Sequence, residues 1–354
     1  VTFNHQSLIA TKASRIVRAA QGRPVMEFGA RRAQSYDAAV LGARAAYIAG
    51  CASTSCVLAD RYFGIPASGT MAHSWVQMFD SEYEAFVQYA KMYPNGCVFL
   101  VDTFNVIKSG VPNAIKVFDE ILKPQGIRPI AVRIDSGDIA YLSKKIRIML
   151  DEAGYSDVGI CASNSLDEYI VRDLILQGAQ IDSFGIGENM ITAKSNPVFG
   201  GVYKLAAVKN PDGTYDPRIK ISESVEKMTV PCLKKVYRIF DNETGKAMAD
   251  YITVAGEEVD VTDGITLFDP KETWKNRRFT NVNAKLLQTA IYQNGKKVYL
   301  SPVLSEIREY CKNQLDTLWD EVTRFENPHV YYVDLSEKLW DTRRQLLRTL
   351  QQNY

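Results

Sequence analysis

Between residues 24 and 208 one unit recurs, and it constrains the fold more than any other feature of the chain. A short apolar run ends in a tip rich in Gly, Ser or Asp, and an amphipathic segment follows. PVMEFG leads to ARRAQSYDAAVLGARAAYIAG, GCAST to SCVLADRYFG, and IPASG to TMAHSW with the helix-like stretch behind it. GCVFLVDTFN leads to SGVPNAIKVFDEILK, IRPIAVRIDSGD to IAYLSKKIRIMLDEAG, and VGICASNS to LDEYIVRDLILQGA. IDSFGIGEN leads to MITAKSNPVFGG, and VYKLAAV closes the series. Ile139, Leu142, Ile146, Met149 and Leu150 form one helical stripe, whereas the strand candidates are near-continuous apolar runs, as expected when both faces are covered. Alternation of this kind predicts parallel strands joined by right-handed crossovers. An open doubly wound sheet gathers its ligand groups at one switch point, and a β/α barrel gathers every strand end around one mouth. Here polar residues mark nearly every tip: Arg31, Ser53, His73, Asp102, Arg133 with Asp135, Ser163 with Asn164, and Gly187 with Glu188. The expected fold class is therefore α/β, an irregular or incomplete α/β barrel.

The pattern changes near residue 210. NPDGTYDP is a turn-rich break. KKVYRIFDNETGKAMADYITV alternates like a hairpin turning at Gly245, and LLQTAIYQNGKKVYL like a second turning at Asn294-Gly295. Leu304, Ile307, Cys311, Leu315, Leu318, Val322 and Phe325 predict one long helix started by Ser301-Pro302. SEKLWDTRRQLLRTL predicts a final helix. The expected organisation is a barrel core over 1–210 and an α+β region over 211–354.

Net charge is +1, which offers no basic footprint for nucleic acid or an anionic membrane. No apolar run is long enough to span a bilayer, and no signal peptide is visible. The six cysteines are scattered without a C-x-x-C pair, as expected of a reducing cytoplasm without structural zinc or disulfides. The chain opens at Val1 directly on a helix-like segment, the pattern expected of a chain entered part-way.

VRIDSGD, 132–138, is the richest tip. Arg133 and Asp135 share one face of an extended strand. An arginine reads carboxylate or phosphate with a planar fork, and paired carboxylates hold Mg²⁺ or a sugar diol. The plainer reading of Asp138 is a helix N-cap. In EFGARR, Arg31 sits where a helix start disfavours cations, a conflict that an anionic ligand would remove. VDTFN carries Asp102 at a strand end. CASNSLDE and FGIGENM are tips of the kind that present backbone N–H groups to phosphate. His5 and His329 read as structural. His73, in GTMAHSW, has no second ligand at metal spacing and reads either as a packed loop residue or as a catalyst. There is no G-x-S-x-G, Walker loop or H-E-x-x-H. On residues alone this suits an enzyme acting on a phosphorylated sugar with Mg²⁺. The rivals are a nucleotide-binding barrel without turnover and a barrel aldolase or isomerase, the aldolase lacking a lysine at any strand tip.

MEFGARRAQ, GIPASGTMAHSWVQMF, LVDTFNVIKSGVPNAIK, VRIDSGDIAYLSKK, ASNSLDEYI and FGIGENMITAKSNPVFGGVYKL, in this order and spacing, resemble nicotinate phosphoribosyltransferase in its bacterial form. The resemblance implies the type II phosphoribosyltransferase fold, an irregular α/β barrel beside an N-terminal sandwich domain that is largely absent from this chain. It implies a homodimer with shared active sites. The implied reaction joins nicotinate to 5-phosphoribosyl pyrophosphate, giving nicotinate mononucleotide and pyrophosphate for NAD synthesis, coupled to ATP hydrolysis. By the same resemblance Phe28 would stack on the pyridine ring, and Arg31 and Arg133 would hold the nicotinate carboxylate and pyrophosphate. Asp102, Asp135 and Asp138 would bind ribose hydroxyls and Mg²⁺. Ser163, Asn164, Gly187 and Glu188 would line the 5-phosphate pocket. His73 would be the phosphorylated histidine, with Asp102 orienting it. The chain departs from the usual pattern at Ala52, where many members carry Asp, and at Glu188-Asn189, where many carry Thr-Lys. The Glu188 carboxylate is therefore expected to point away from the phosphate while its backbone N–H binds. Nicotinamide phosphoribosyltransferase is the nearest alternative, and FGARRAQ and TMAHSW are more like the nicotinate enzyme.

Overall fold

A computed structural model describes residues 1–224 and 227–353. Its contacts divide the chain into two compact units: Val1–Gly200 with Val303–Lys312, and Gly201–Pro302 with Asn313–Tyr354.

In the first unit the predicted strands become β1 (Val25–Glu27), β2 (Ser53–Thr54), β3 (Val98–Leu100), β4 (Ala131–Ile134), β5 (Gly159–Asn164) and β6 (Ser183–Ile186). All pair in parallel, in the order β2-β1-β6-β5-β4-β3. Because β1 lies beside β6, this is the cyclic order of a barrel, cut open between β2 and β3. The sheet curls as a half-barrel rather than lying as a doubly wound plane. The IPASG run does not become a full strand. It adds one bridge, Thr54 to Ala67, with the Thr54 N–H on the Pro66 carbonyl at 3.0 Å.

The helices of this unit are α1 (Thr2–Ala19), α2 (Tyr36–Ile48), α3 (Val57–Phe63), α4 (His73–Gln77), α5 (Glu82–Met92), α6 (Val111–Val117), α7 (Ile139–Glu152), α8 (Glu168–Leu176) and α9 (Glu188–Ile191). Wider π turns flank α6 at Val106–Gly110 and Phe118–Leu122, so that one helical rod runs over 106–122. Ser35, Ser81, Asp138 and Asp167 accept backbone N–H groups as N-caps, each supplying a partner to a donor that the first turn leaves open. Phe99 stacks between Phe86 (4.6 Å) and Phe118 (5.4 Å), and Phe118 meets Tyr155 at 5.1 Å. All four rings are buried, locking β3 against the helices behind it. A side chain on Gly110 would run into the Val101 carbonyl, so the 106–122 rod lies directly on the residue before Asp102.

The first stretch of α10 (Leu304–Asp316) belongs to this unit. Arg308 donates to the carbonyls of Tyr47, Gly50 (3.0 Å) and Cys51 (2.6 Å), closing the C-terminus of α2. Its guanidinium also lies 4.3 Å from the Tyr47 ring centroid. Cys51, Cys56, Cys97 and Cys161 are buried free thiols, and burial pushes Cys97 up to about 12.

In the second unit, VYKLAAV does not close the parallel series. Its end forms β7 (Ala207–Lys209), which pairs antiparallel with β8 (Tyr215–Pro217). The predicted hairpin at Gly245 is β9 (Lys234–Asp241) with β10 (Ala247–Val254). Further strands are β11 (Ile265–Phe268), β12 (Asn276–Phe279), β13 (Val282–Leu286), β14 (Tyr292–Gln293), β15 (Lys296–Lys297) and β16 (Val333–Leu335). The main sheet has the order β13-β9-β10-β16. The hairpin at Asn294-Gly295 shrinks to the β14–β15 rung pair, with both turn residues at positive φ as its tight turn requires. The single long helix predicted from Leu304 to Phe325 is broken. α10 ends at Asp316 and α11 covers Asp320–Thr323. Lys246 takes the carbonyls of Asp316 (2.8 Å) and Leu318 (3.1 Å), and the Trp319 indole donates to Ala247 (3.1 Å), so tertiary partners satisfy the groups that a continuing helix would have used. The final helix is α12 (Glu337–Asn353). Arg238 on β9 meets Asp250 on β10 with two bonds of 2.8 and 3.0 Å, and Tyr331 donates to the same carboxylate at 3.1 Å. Ile239, Ala249, Leu267 and Val282 form one small core, and Cys232, Leu335 and Leu339 another.

Candidate active site

Parallel pairing sets Leu100 beside Arg133 and Arg133 beside Cys161, so the residues after β3, β4 and β5 emerge at one end of the sheet. The Asp102 side chain is 1 % exposed. Its Oδ2 accepts the Asp135 N–H at 2.9 Å and the Ser136 hydroxyl at 2.5 Å. Its Oδ1 is buried without a hydrogen-bond partner among the described residues. Arg133 donates to Ser163 (2.8 Å), Thr70 (2.7 Å) and Asp135 (3.2 Å), and the Ser163 hydroxyl passes on to Asp135 at 2.5 Å. Among the described residues three of the five guanidinium N–H groups are thus engaged, which leaves two for a ligand.

His73 opens α4 and faces this wall. Its Nε2 lies 3.8 Å from Asp102 Oδ1 and 3.8 Å from Asp135 Oδ2. Its Nδ1 lies 3.1 Å from the Thr103 hydroxyl. Asp102 is therefore the expected neighbour, but it stands beyond hydrogen-bond length, and the short contact belongs to Thr103. Two carboxylate oxygens beside Nε2 favour the proton on that nitrogen, leaving the lone pair on Nδ1.

On the other side, Phe28 follows β1, and its ring centroid lies 5.8 Å from the Arg133 guanidinium. A Cβ at Gly185 would come within 2.6 Å of that ring, and one at Gly187 within 2.8 Å of the Phe28 carbonyl. These absent side chains let the ring lie on β6. Glu27, one residue before, is fully buried and accepts from the Gly29 N–H and from the Thr54 hydroxyl (2.6 Å). Burial pushes its carboxyl above the ordinary range.

The remaining predicted residues are not drawn into this cluster. Asn164 ends β5 at φ 124°, its side chain accepting the Ser165 N–H at 2.7 Å. Gly187 caps α9. Arg31 stands exposed in the turn after Phe28 and makes no hydrogen bond or ion pair among the described residues. Glu188 turns its carboxylate to Lys194 (2.9 Å) and Arg32 (3.6 Å); the Lys194 hydrogen bond, then these cations, hold it below the usual carboxylate range. The negative charge expected to be awkward beside a phosphate is thus occupied elsewhere. Asp138 is the N-cap of α7, accepting the Tyr141 N–H at 3.0 Å, which is the plainer of its two readings.

Among the described residues no three His, Cys, Asp or Glu side chains converge on a metal geometry. Mg²⁺ takes one or two carboxylates and completes its shell with water and substrate oxygens. The unpartnered Asp102 Oδ1 and the adjacent Asp135 carboxylate fit that donor set better than Asp138, which is turned to its cap.

Thr70, Thr103, Ser136 and Glu27 are parts of the site that the sequence reading passed over. Only Glu27 carries a usable signal: it shares strand parity with buried Val25, and a carboxyl on the inward face of a short strand requires a partner.

A family model described as the nicotinate phosphoribosyltransferase (NAPRTase) family matches residues 24–246, and one described as the nicotinate phosphoribosyltransferase C-terminal domain matches 233–343. The nicotinate phosphoribosyltransferase of Bacillus subtilis (strain 168) is 45% identical over 342 residues, 97% of this chain and 69% of that protein. That of Dictyostelium discoideum is 34% identical over 96% of this chain and 66% of its own length. The chain thus spans about two thirds of the length of the curated relatives it matches. Among solved structures, human nicotinic acid phosphoribosyltransferase superposes with a TM-score of 0.79 at 26% identity, covering 97% of this chain and 74% of that one.

Proposed function

The chain belongs to the nicotinate phosphoribosyltransferase family, and from that premise we propose that it joins nicotinate to 5-phosphoribosyl pyrophosphate at the mouth of the half-barrel. The observation that carries this reading is the pairing of the Phe28 ring with an Arg133 that keeps two N–H groups unspent. A flat ring bearing a carboxylate matches both, and an amide would forfeit the charge-assisted bond. Held there, the pyridine nitrogen attacks C1 of the ribose while the bond to pyrophosphate breaks. The exposed Arg31 meets the departing negative charge, and the Asn164 and Gly187 tips offer backbone N–H groups to the 5-phosphate. Ser163 orients Arg133 and Asp135 together.

Asp102 and Asp135 would hold Mg²⁺, which when bound neutralises pyrophosphate oxygens. His73 is the acceptor of the γ-phosphoryl group of ATP. With Nε2–H toward the two carboxylates, Nδ1 is the nucleophile, and the Thr103 hydroxyl must turn aside as the N–P bond forms and ADP leaves. Two subunits sharing active sites, working in the cytoplasm, complete the reading.

The test supplies the protein with nicotinate and 5-phosphoribosyl pyrophosphate, with and without γ-labelled ATP, and follows nicotinate mononucleotide and acid-labile label. Product should form from nicotinate far faster than from nicotinamide, ATP should stimulate it, and the label should map to His73. His73→Ala should lose both label and stimulation while keeping residual transfer. No nicotinate mononucleotide would sink the transferase reading, and label on another residue would return His73 to a packed-loop role.

A further inference from the structure

We infer that Glu27 is the positioning residue for the aromatic side of the site: it sets the Phe28–Gly29 turn, and through it the ring that receives nicotinate. This rests on the reading above, in which Phe28 stacks on the substrate.

Glu27 is fully buried and forms no ion pair among the described residues, so its carboxyl stays out of water without a cation to offset the cost. Both oxygens are used. Oε1 accepts the buried N–H of Gly29, two residues ahead, and Oε2 accepts the Thr54 hydroxyl at 2.6 Å. Thr54 is itself fixed: it lies in register with Glu27 across β1 and β2, and its hydroxyl accepts the Cys56 N–H at 3.0 Å. The carboxyl therefore ties the turn after β1 to the neighbouring strand.

That turn has little other freedom. The Phe28 N–H bonds the Ile186 carbonyl at 2.8 Å, and a Cβ at Gly29 would lie 2.5 Å from Ile191 and 2.7 Å from Glu27 itself. Gly185 lies under the ring and Gly187 against the Phe28 carbonyl. The box is closed on the sides of β6 and α9, and Glu27 closes it from β2. Without the carboxyl, the Gly29 N–H loses its partner and the turn can rotate, carrying the ring off β6 and away from Arg133. Reacting groups displaced by a fraction of an ångström lose binding and alignment together. The Asn164 tip and the Asp102–Asp135 wall make no contact with this tie, and the Gly187 tip, though it touches the Phe28 carbonyl, is held separately by the Met190 and Ile191 N–H groups on its own carbonyl, so the effect should fall chiefly on nicotinate.

Glu27→Ala should raise KM for nicotinate about tenfold or more, while KM for 5-phosphoribosyl pyrophosphate moves less than about twofold. Glu27→Gln should restore most of the nicotinate affinity, because the amide oxygen can accept from Gly29 and the Thr54 hydroxyl can turn to accept from the amide nitrogen. Thr54→Val, which keeps the buried shape, should show the same selective rise at smaller size, and it decides the matter if Glu27→Ala does not fold. Phe28→Ala serves as the reference. If it raises nicotinate KM and neither Glu27→Ala nor Thr54→Val does, the positioning role fails alone. If Phe28→Ala leaves nicotinate KM unchanged, the stacking reading fails and this inference with it. Equal rises in both KM values would assign Glu27 to general stability and overturn the proposal.

Discussion

The two units each carry an arginine–aspartate pair on a sheet, and the pairs do opposite work. In the second unit Arg238 and Asp250 are directly opposed on antiparallel neighbours, with Tyr331 completing the carboxylate. Arg238 spends both bonds on one partner. In the first unit Arg133 spreads three bonds over Ser163, Thr70 and Asp135 and keeps donors in reserve. The difference follows from strand direction. Antiparallel strands alternate their ends, so a polar pair there is settled mainly by its cross-strand neighbour. Parallel strands bring every carboxyl end to the same rim, so residues as far apart as 28, 102, 133 and 163 converge. A pair of the first kind closes a sheet, and one of the second kind stays open to a ligand.

The sharpest way to break this contrast is Arg133→Ala. It should cost about 2–5 kcal/mol of transition-state binding for nicotinate, read as a fall in kcat/KM, with little change in the unfolding midpoint. Unchanged nicotinate kinetics would place Arg133 with Arg238 as a structural residue. The converse substitution, Arg238→Ala, should lower stability by about 2–3 kcal/mol, because the half-buried Asp250 loses its cation, while KM for nicotinate holds. A rise in nicotinate KM without loss of stability would reverse the assignment.

The smallest expected effect is one of pH. Asp334 on β16 is 6 % exposed, and burial raises its carboxyl to about 6, against the pull of Arg277. The unfolded chain releases this proton near the ordinary 3.8, so between the two values the folded state binds more protons. Stability therefore falls as pH rises across that window, and the loss is complete above it. Asp334→Asn should recover about 1–2 kcal/mol at pH 7 and nothing below about pH 4, followed by denaturant unfolding across pH. An Asn variant equally stable at every pH would mean that Asp334 is not held protonated. Paired Glu168 of the first unit behaves in the opposite sense: Lys12 and Arg15 outweigh its burial and hold it below the usual range.

These contrasts also mark what the sequence could reveal. The parallel series was legible because most of its strands lie in near-continuous apolar runs and nearly every tip is polar, two signals that agree. IPASG and VYKLAAV carry the apolar run but not the full parallel pairing, one making a single bridge and the other an antiparallel pair, and run length alone does not show which strand lies alongside. The helix predicted over Leu304–Phe325 has an unbroken stripe, yet Lys246 and Trp319 end it from a distance that periodicity does not sense. Arg133, Asp135, Asp102 and His73, which lie together in the candidate site, stood out in the sequence because charged and titratable groups at strand ends are conspicuous. Thr70 and Thr103 did not, because a hydroxyl becomes functional only through what it touches. Asp138 shows the reverse: its helix-start position predicts an N-cap, and one of its carboxylate oxygens serves as that cap.

Arg308 has a consequence for inheritance. The half-barrel is written in two separate stretches of the chain, and the second supplies the side chain that closes three carbonyls at the end of α2. A recombination event that moved residues 1–200 as a block would leave that closure behind and open the very helix that leads into β2. Exchange between relatives must therefore carry both stretches or neither. The half-barrel and the remote segment that braces it form a single unit of descent, although a hundred residues of another architecture are spelled out between them.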